Sequence, residues 1–184
     1  MQRVNEYDRD GDCYAYGKKV EERLISVFNA KGYETRASTL NEDKYQHADF
    51  FFKGKNGKWY SVDVKGMKRK NRSDSERQDV WTFVEFQNTA GYPGWTVKGA
   101  YLIAFERERD FVLIRRTDLK RFCDERVDRS TRASSAGDAK YICYSRSNRK
   151  DLISMIKIDD LPEDQVRLWS DKDAESDPAI THVP

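Results

Sequence analysis

The stretch HADFFFKGKNGKWYSVDVK, residues 47–65, decides the reading of this chain. At its middle, Gly54-Lys55-Asn56-Gly57 separates two runs rich in aromatic and β-branched residues. Three-residue hairpin loops place a glycine at the left-handed position, and Lys55-Asn56-Gly57 meets that need. With this loop Ala48 stands opposite Val64, Phe50 opposite Val62 and Phe52 opposite Tyr60. Side chains alternate across a strand, so these six form one apolar face. A slip of one residue would turn the whole set to the wrong side, and the alternation therefore supports the pairing.

The other face pairs His47 with Lys65, Asp49 with Asp63, Phe51 with Ser61 and Lys53 with Trp59. Directly opposed Cβ atoms in such ribbons lie roughly 4.5–5.5 Å apart. Two carboxylates at that separation repel unless a cation sits between them. A hard, oxygen-seeking divalent ion such as Mg²⁺ suits the place. Lys65 follows Asp63 by two residues and shares its face. Its ammonium could stabilise charge on a phosphate or orient a water whose pKa the metal lowers. Two acids and a lysine at a metal form a set suited to phosphodiester hydrolysis. The plainer alternative is a solvated, charged ribbon face with Lys65 as a salt-bridge partner.

Outward from the hairpin, apolar residues at Val20, Leu24, Val27 and Phe28 keep helical spacing over residues 16–31, with Gly32 placed to stop the helix. Residues 67–78 have no periodicity and read as a mobile basic loop. A strand is expected over 80–88, where Glu85 and Gln87 share a face with Trp81 and Phe83. Residues 100–105 and 111–115 read as a second hairpin. A helix capped by Thr117 is expected to run to about Val127. Residues 130–138 read as a polar loop, 141–144 as a short strand and 150–158 as an amphipathic stretch. The order of elements predicts an α/β fold, a mixed central sheet flanked by helices. The expected organisation is one domain over residues 1–158 and a frayed acidic tail over 159–184.

Charge is unevenly placed although the formal net is only +2. Residues 65–77 carry a local net of +4, whereas 159–184 carry −6, so an anionic partner would meet the middle of the chain. Lys68, Arg69, Lys70 and Arg72 are candidate phosphate contacts beside the hairpin, or else an ordinary solvated loop. Tyr92 and Trp95 could stack on unpaired bases, or close over a core edge. His47 is a candidate base or, more plainly, a structural hydrogen-bonding group. The 3 cysteines lack any C-x-x-C pair, which argues against structural zinc and for core fillers in a reducing cytoplasm. The polar start does not resemble a signal peptide, and no apolar run approaches the ~20 residues of a membrane helix. A soluble cytoplasmic protein without membrane contact is the expectation.

On Asp49 and Asp63-Val64-Lys65 the chain resembles the PD-(D/E)xK nuclease superfamily: an acid on one strand, then D/E-x-K on the next. The proline usual before the first acid is Ala48. The stretch Val20-Glu21-Glu22-Arg23-Leu24 looks like the first helix of archaeal Holliday junction resolvases, while residues 91–95 and 100–106 look like parts of small phage-encoded nucleases. The likeness covers about residues 15–90. It implies a restriction-endonuclease-like core and metal-assisted hydrolysis of DNA with Mg²⁺ or Mn²⁺. It further implies Glu21 as a metal ligand, with Glu22 as the alternative, and the backbone carbonyl of Val64 as another. Gln87 would assist Lys65, and cleavage of branched junctions would need a homodimer. Two rivals remain: a non-catalytic nucleic-acid-binding module on such a scaffold, and a protein-binding regulator whose acidic tail mimics DNA.

Overall fold

A computed structural model describes residues 12–69 and 76–170. Helix α1 (Asp12–Ala30) buries Val20, Leu24, Val27 and Phe28, the residues whose spacing predicted it. Gly32, at a φ of 83°, turns the chain out of the helix, a conformation glycine adopts without steric cost. Strand β1 (Thr35–Ala37) and helix α2 (Leu40–Gln46) follow. The hairpin consists of β2 (Phe50–Lys53) and β3 (Trp59–Lys65). Its register is the expected one, with Phe50 opposite Val62, Phe51 opposite Ser61, Phe52 opposite Tyr60 and Lys53 opposite Trp59. Gly57 takes the left-handed position, at a φ of 76°.

The remaining elements are β4 (Trp81–Gln87), β5 (Leu102–Glu106), β6 (Phe111–Arg115), α3 (Arg116–Arg126), β7 (Asp128–Arg132), β8 (Ile142–Cys143), β9 (Leu152–Lys157) and β10 (Val166–Trp169). The central sheet has 6 strands in the order β1-β2-β3-β5-β6-β10. Only the β3–β5 pair is parallel, so the sheet is mixed and the fold is α/β as expected. Helix α1 covers one face through Leu24, Phe28, Phe50, Phe52, Val62, Ala104 and Trp169. The other face packs Ile103, Phe105, Val112 and Ile114 against α3 and the β4–β9 ribbon. Alternation along β3 and β5 divides the two cores: Val62 and Leu102 look to α1, Asp63 and Ile103 away from it. No helix among the described residues is long and apolar enough to cross a membrane.

Several expectations need correction. The first strand does not begin at residue 47, because His47 ends α2 in the left-handed conformation and pairing starts at Phe50. Thr117 does not cap α3; Arg115 is the cap residue, and no side chain bonds there. The supposed polar loop after residue 130 begins inside β7, which pairs with β8, and the amphipathic stretch over 150–158 contains β9, paired with β4. The acidic tail does not start at residue 159. Asp159 and Asp160 lie in a 3₁₀ turn, and β10 then pairs antiparallel with β6. Trp169 is buried beneath α1, its ring centroid 4.6 Å from that of Phe28. A tryptophan removes so much apolar area from water that it anchors a segment whose charges alone suggest fraying. Of the expected tail, residues 171–184 lie outside the described part. Cys123 and Cys143 are buried, but Cys13 is exposed on α1 and fills no core.

Candidate active site

β3 carries the centre. Alternation turns Asp63 and Lys65 away from α1, and the parallel pairing of β3 with β5 sets Asp63 beside Ile103 and Lys65 beside Phe105. Asp63 is therefore a carboxylate in an apolar setting, only 4% exposed. One of its oxygens, Oδ1, takes an ion pair from Lys65 Nζ at 2.7 Å. The other, Oδ2, is buried and has no hydrogen-bond partner within the protein. Burial pushes the Asp63 carboxyl above its usual range, against the pull of Lys65.

Asp49 brackets Asp63 from the segment that leads into β2. Its backbone N–H donates to the Val62 carbonyl at 2.8 Å, and its Oδ2 accepts from the Val64 N–H at 2.6 Å. β2 pairing stops at Phe50, so the Asp49 side chain takes over the β3 edge where the ladder ends. Burial first, then the charge of Asp63, raise the Asp49 carboxyl to about 7. In a strand the N–H and C=O of one residue point to the same edge, so the Val64 carbonyl shares the edge that Asp49 occupies.

This grouping fits a hard divalent cation. Two adjacent carboxyl groups resist being ionised together, one of their oxygens is orphaned, and the neighbouring backbone adds a further oxygen donor. Mg²⁺ commonly takes one or two carboxylates and keeps several waters. A full protein cage is not assembled: among the described residues no group of three or more His, Cys, Asp or Glu is placed to hold a metal ion.

Glu21, expected as a third acidic ligand, lies on the α1 face turned toward this centre. Burial and the charge of Asp49 raise its carboxyl, and Lys18 Nζ holds it at 2.6 Å. Glu22, the alternative, is exposed on the helix. Gln87 is directed elsewhere, since its Nε2 donates to the Lys150 carbonyl at 2.5 Å. Glu85, from the same strand face, is nearer the centre. Burial raises its carboxyl while Lys65 and His47 oppose the rise. His47 is held as the α2 cap, its N–H donating to the Asp43 carbonyl at 3.1 Å. Desolvation and Lys65 lower its pKa, which keeps the ring neutral. The expected ladder pairing of His47 with Lys65 is absent, although the two are close enough to interact. Trp95 does close over the core edge, and its ring carries Lys65 Nζ 4.5 Å from the centroid.

Of the basic residues, Lys68 stands at the base of the loop, which Gln78 pinches shut by donating its N–H to the Lys68 carbonyl at 3.0 Å. Lys68 is exposed as a residue, yet desolvation first, then Lys65 and Arg77, lower its pKa. Arg69 is exposed. Lys70 and Arg72 lie outside the described residues. Arg77, not singled out from the sequence, stacks over Tyr16 with its guanidinium carbon 3.7 Å from the ring centroid.

Sequence reasoning missed two acids. Asp43 on α2 adds negative charge felt by Asp63, Glu21 and His47. Its signal was the capping box Thr39-Leu40-Asn41-Glu42, which marks the start of α2. The other is Glu106, 6% exposed at the end of β5. It accepts from Tyr16 Oη at 2.6 Å, the Met67 N–H at 3.0 Å and Arg23 Nη1 at 3.4 Å. It thereby ties α1 and the first residue of the basic loop to the sheet. A Cβ on Gly66 would meet the Tyr16 ring at 3.0 Å, so a glycine there lets this network close. Nothing in the sequence marked Glu106, because its partners come from two distant segments, α1 and the residue that follows Gly66.

No family model, curated protein or solved structure matches the chain.

Proposed function

We propose that this chain is a metal-dependent nuclease that hydrolyses DNA phosphodiesters, with Mg²⁺ or Mn²⁺ held by Asp49, Asp63 and the Val64 carbonyl. The observation that carries the reading is the buried, partnerless Oδ2 of Asp63 beside the Asp49 carboxyl, with the Lys65 ammonium alongside. A divalent cation bound there would polarise the phosphate and lower the pKa of a water. Lys65 has an apolar wall behind it in Trp95, and its ion pair is with Asp63. Once a cation relieves Asp63 of its need for that ammonium, Lys65 is placed to hold a phosphate oxygen or the attacking water. Glu21 interacts with Asp49 and is paired with the exposed Lys18, which makes it the proposed further acid of the centre. Lys68 and Arg77 lie near Lys65 and supply further positive charge for the strand. α1 packed beneath antiparallel β1-β2-β3, with β5 parallel to β3, supports a restriction-endonuclease-like core.

The test is a cleavage panel of linear, nicked, flap and four-way DNA with Mg²⁺, Mn²⁺ or EDTA. Metal-dependent cutting that Asp63→Ala removes while circular dichroism stays unchanged is the expected result. Equal activity in the variant, or no cutting of any form, would overturn the proposal. Cutting of four-way junctions would call for two centres in one particle, which sedimentation would register as a dimer. A second reading, a binding module without catalysis, draws support from the Lys65–Asp63 ion pair, which neutralises the centre without metal. It predicts DNA binding that EDTA does not affect and no cleavage under any condition.

A further inference from the structure

The region between β4 and β5 holds an exposed aromatic that the proposed chemistry does not use. Tyr92 is 69% exposed. Its turn is nonetheless tightly built. Asn88 Oδ1 accepts from the N–H groups of both Ala90 and Tyr92 at 3.0 Å, and the Asn88 N–H donates to the Tyr92 carbonyl at 2.9 Å. Gly91 sits at a φ of 92°, and a Cβ there would come within 3.0 Å of the Lys150 side chain. Lys150 therefore lies across the turn beside Tyr92, held in place by its own carbonyl on Gln87 and its N–H on Thr89. The backbone of the turn is thus fixed, and the ring it carries is open to solvent.

What surrounds the ring is basic. Residues 140–150 carry 4 Lys or Arg and no acid. Arg146 is fixed by the buried Asp151, through Nε at 2.6 Å, and its charge reaches Glu85. Glu85 in turn interacts with Lys65. Glu85 therefore lies between Lys65 and Arg146, and Lys150 is the cation that lies across the Tyr92 turn. Lys65 rests on Trp95, three residues from Tyr92, and three residues span at most about 10 Å.

We infer that Tyr92, with Lys150 across its turn, forms a stacking platform for an unpaired nucleotide of a single-stranded segment that leads to the proposed centre. A ring with basic neighbours suits a base on a phosphate chain, because every base presents a π-face and the phosphates seek the cations. This rests on the proposed nuclease reading and deepens it: the substrate would carry a single-stranded arm, as a flap or an overhang does. An acidic peptide would use the cations but gain little from the ring.

The test is fluorescence anisotropy with a short labelled single strand and a matched hairpin duplex, in EDTA so that binding is read without cleavage. Base stacking on an aromatic contributes about 1–3 kcal/mol, so Tyr92→Ala should weaken single-strand binding on the order of tenfold. Duplex binding should be unaffected, and Tyr92→Phe should bind as the wild type does. Unchanged single-strand affinity in Tyr92→Ala would overturn the inference. So would an equal loss on duplex, or displacement of the strand by polyglutamate as effective as that by unlabelled oligonucleotide. The two readings fail separately. A chain that cuts nothing yet binds single strands through Tyr92 loses the nuclease reading alone. A chain that cuts DNA and is indifferent to Tyr92 loses the platform alone.

Discussion

Asp63 and Glu106 are buried to nearly the same degree, at the ends of two parallel neighbours, on opposite faces of one sheet. Their surroundings differ in one respect that matters. Glu106 has a hydroxyl, a backbone N–H and a guanidinium distributed over its two oxygens. Asp63 has one ammonium on one oxygen, while the other is met only by the carboxyl of Asp49. A buried charge that is fully hydrogen-bonded acts as a structural tie, whereas an orphaned one is a standing cost that a ligand can remove. The first acid holds α1 to the sheet, and the second is the one proposed to receive a cation.

The largest expected effect separates the two. Asp63→Ala should lower cleavage by on the order of a thousandfold or more, since it deletes a metal ligand and the partner of Lys65. The same change should lower thermal stability in EDTA by less than Glu106→Ala does, since it leaves only the partly exposed Lys65 without its partner. A large drop in melting temperature in EDTA would place Asp63 with Glu106 as a structural acid. Glu106→Ala should behave in the opposite way. Removing one member of a buried network costs roughly 3 kcal/mol, read by urea denaturation, and leaves Arg23 and Tyr16 without their acceptor. Its activity should fall less than that of Asp63→Ala when measured on the folded fraction.

The next effect is one of pH. In EDTA the folded Asp49 carboxyl sits at about 7 against an unfolded value of 3.8. A folded pKa above the unfolded one means that the unfolded chain loses its proton first, so stability falls as pH rises from about 4 to 7 and then levels. Asp63, raised by burial, acts in the same direction. The difference in melting temperature between wild type and Asp49→Asn should therefore shift against the wild type across this window. Saturating Mg²⁺ should reverse the shift at the upper end. A flat difference would mean that the two carboxyls are not coupled as described.

How much of this the sequence carried can be argued from the same residues. The register of the hairpin was legible because Phe50, Phe52 and Val62 leave only one alternation that buries them, and Gly57 fixes the loop. Asp49, Asp63 and Lys65 were legible for the same reason, being the polar residues on the remaining face. Glu106 was not, because a charged residue ending an apolar strand reads as a strand terminus until Tyr16, Arg23 and Met67 arrive from elsewhere. β10 was hidden by the acids before it, whose charge outweighed Val166 and Trp169 in a composition reading. Gln87 was misplaced because a shared strand face does not decide reach, and the irregular pairing near Phe86 and the Lys150 carbonyl draw it off. α2 was overlooked although its capping box is present.

A smaller effect concerns the cations beside Lys65. Lys68→Ala should weaken DNA binding in EDTA without altering the fold, and should make the slope of log affinity against log salt shallower by about 0.9 for duplex if one phosphate contact is lost. Because Lys68 stands on the Asp63 side of the loop base and Met67 on the Glu106 side, an unchanged slope would assign the loop to Glu106 as scaffold only.

The smallest effect comes from α2, whose one buttress toward the site is its first turn. Thr39 accepts from the Glu42 N–H while the Glu42 carboxylate accepts from the Thr39 N–H at 2.8 Å, and Arg36 holds Glu42, lowering that carboxyl to about 2. Thr39→Ala should remove one of these bonds at about 1 kcal/mol, a typical cap loss. A helix of 7 residues has little stability of its own, so its first turn should fray. Asp43 and His47 then lose their fixed distance from Asp63, and titration calorimetry should read Mg²⁺ affinity reduced a few-fold. Glu106 lies across the sheet from α2 and its network should be untouched, so Tyr16 should keep the raised pKa that burial and Glu106 give it. If Thr39→Ala instead moved the Tyr16 titration and spared the metal, the two acids would not be the independent sites described.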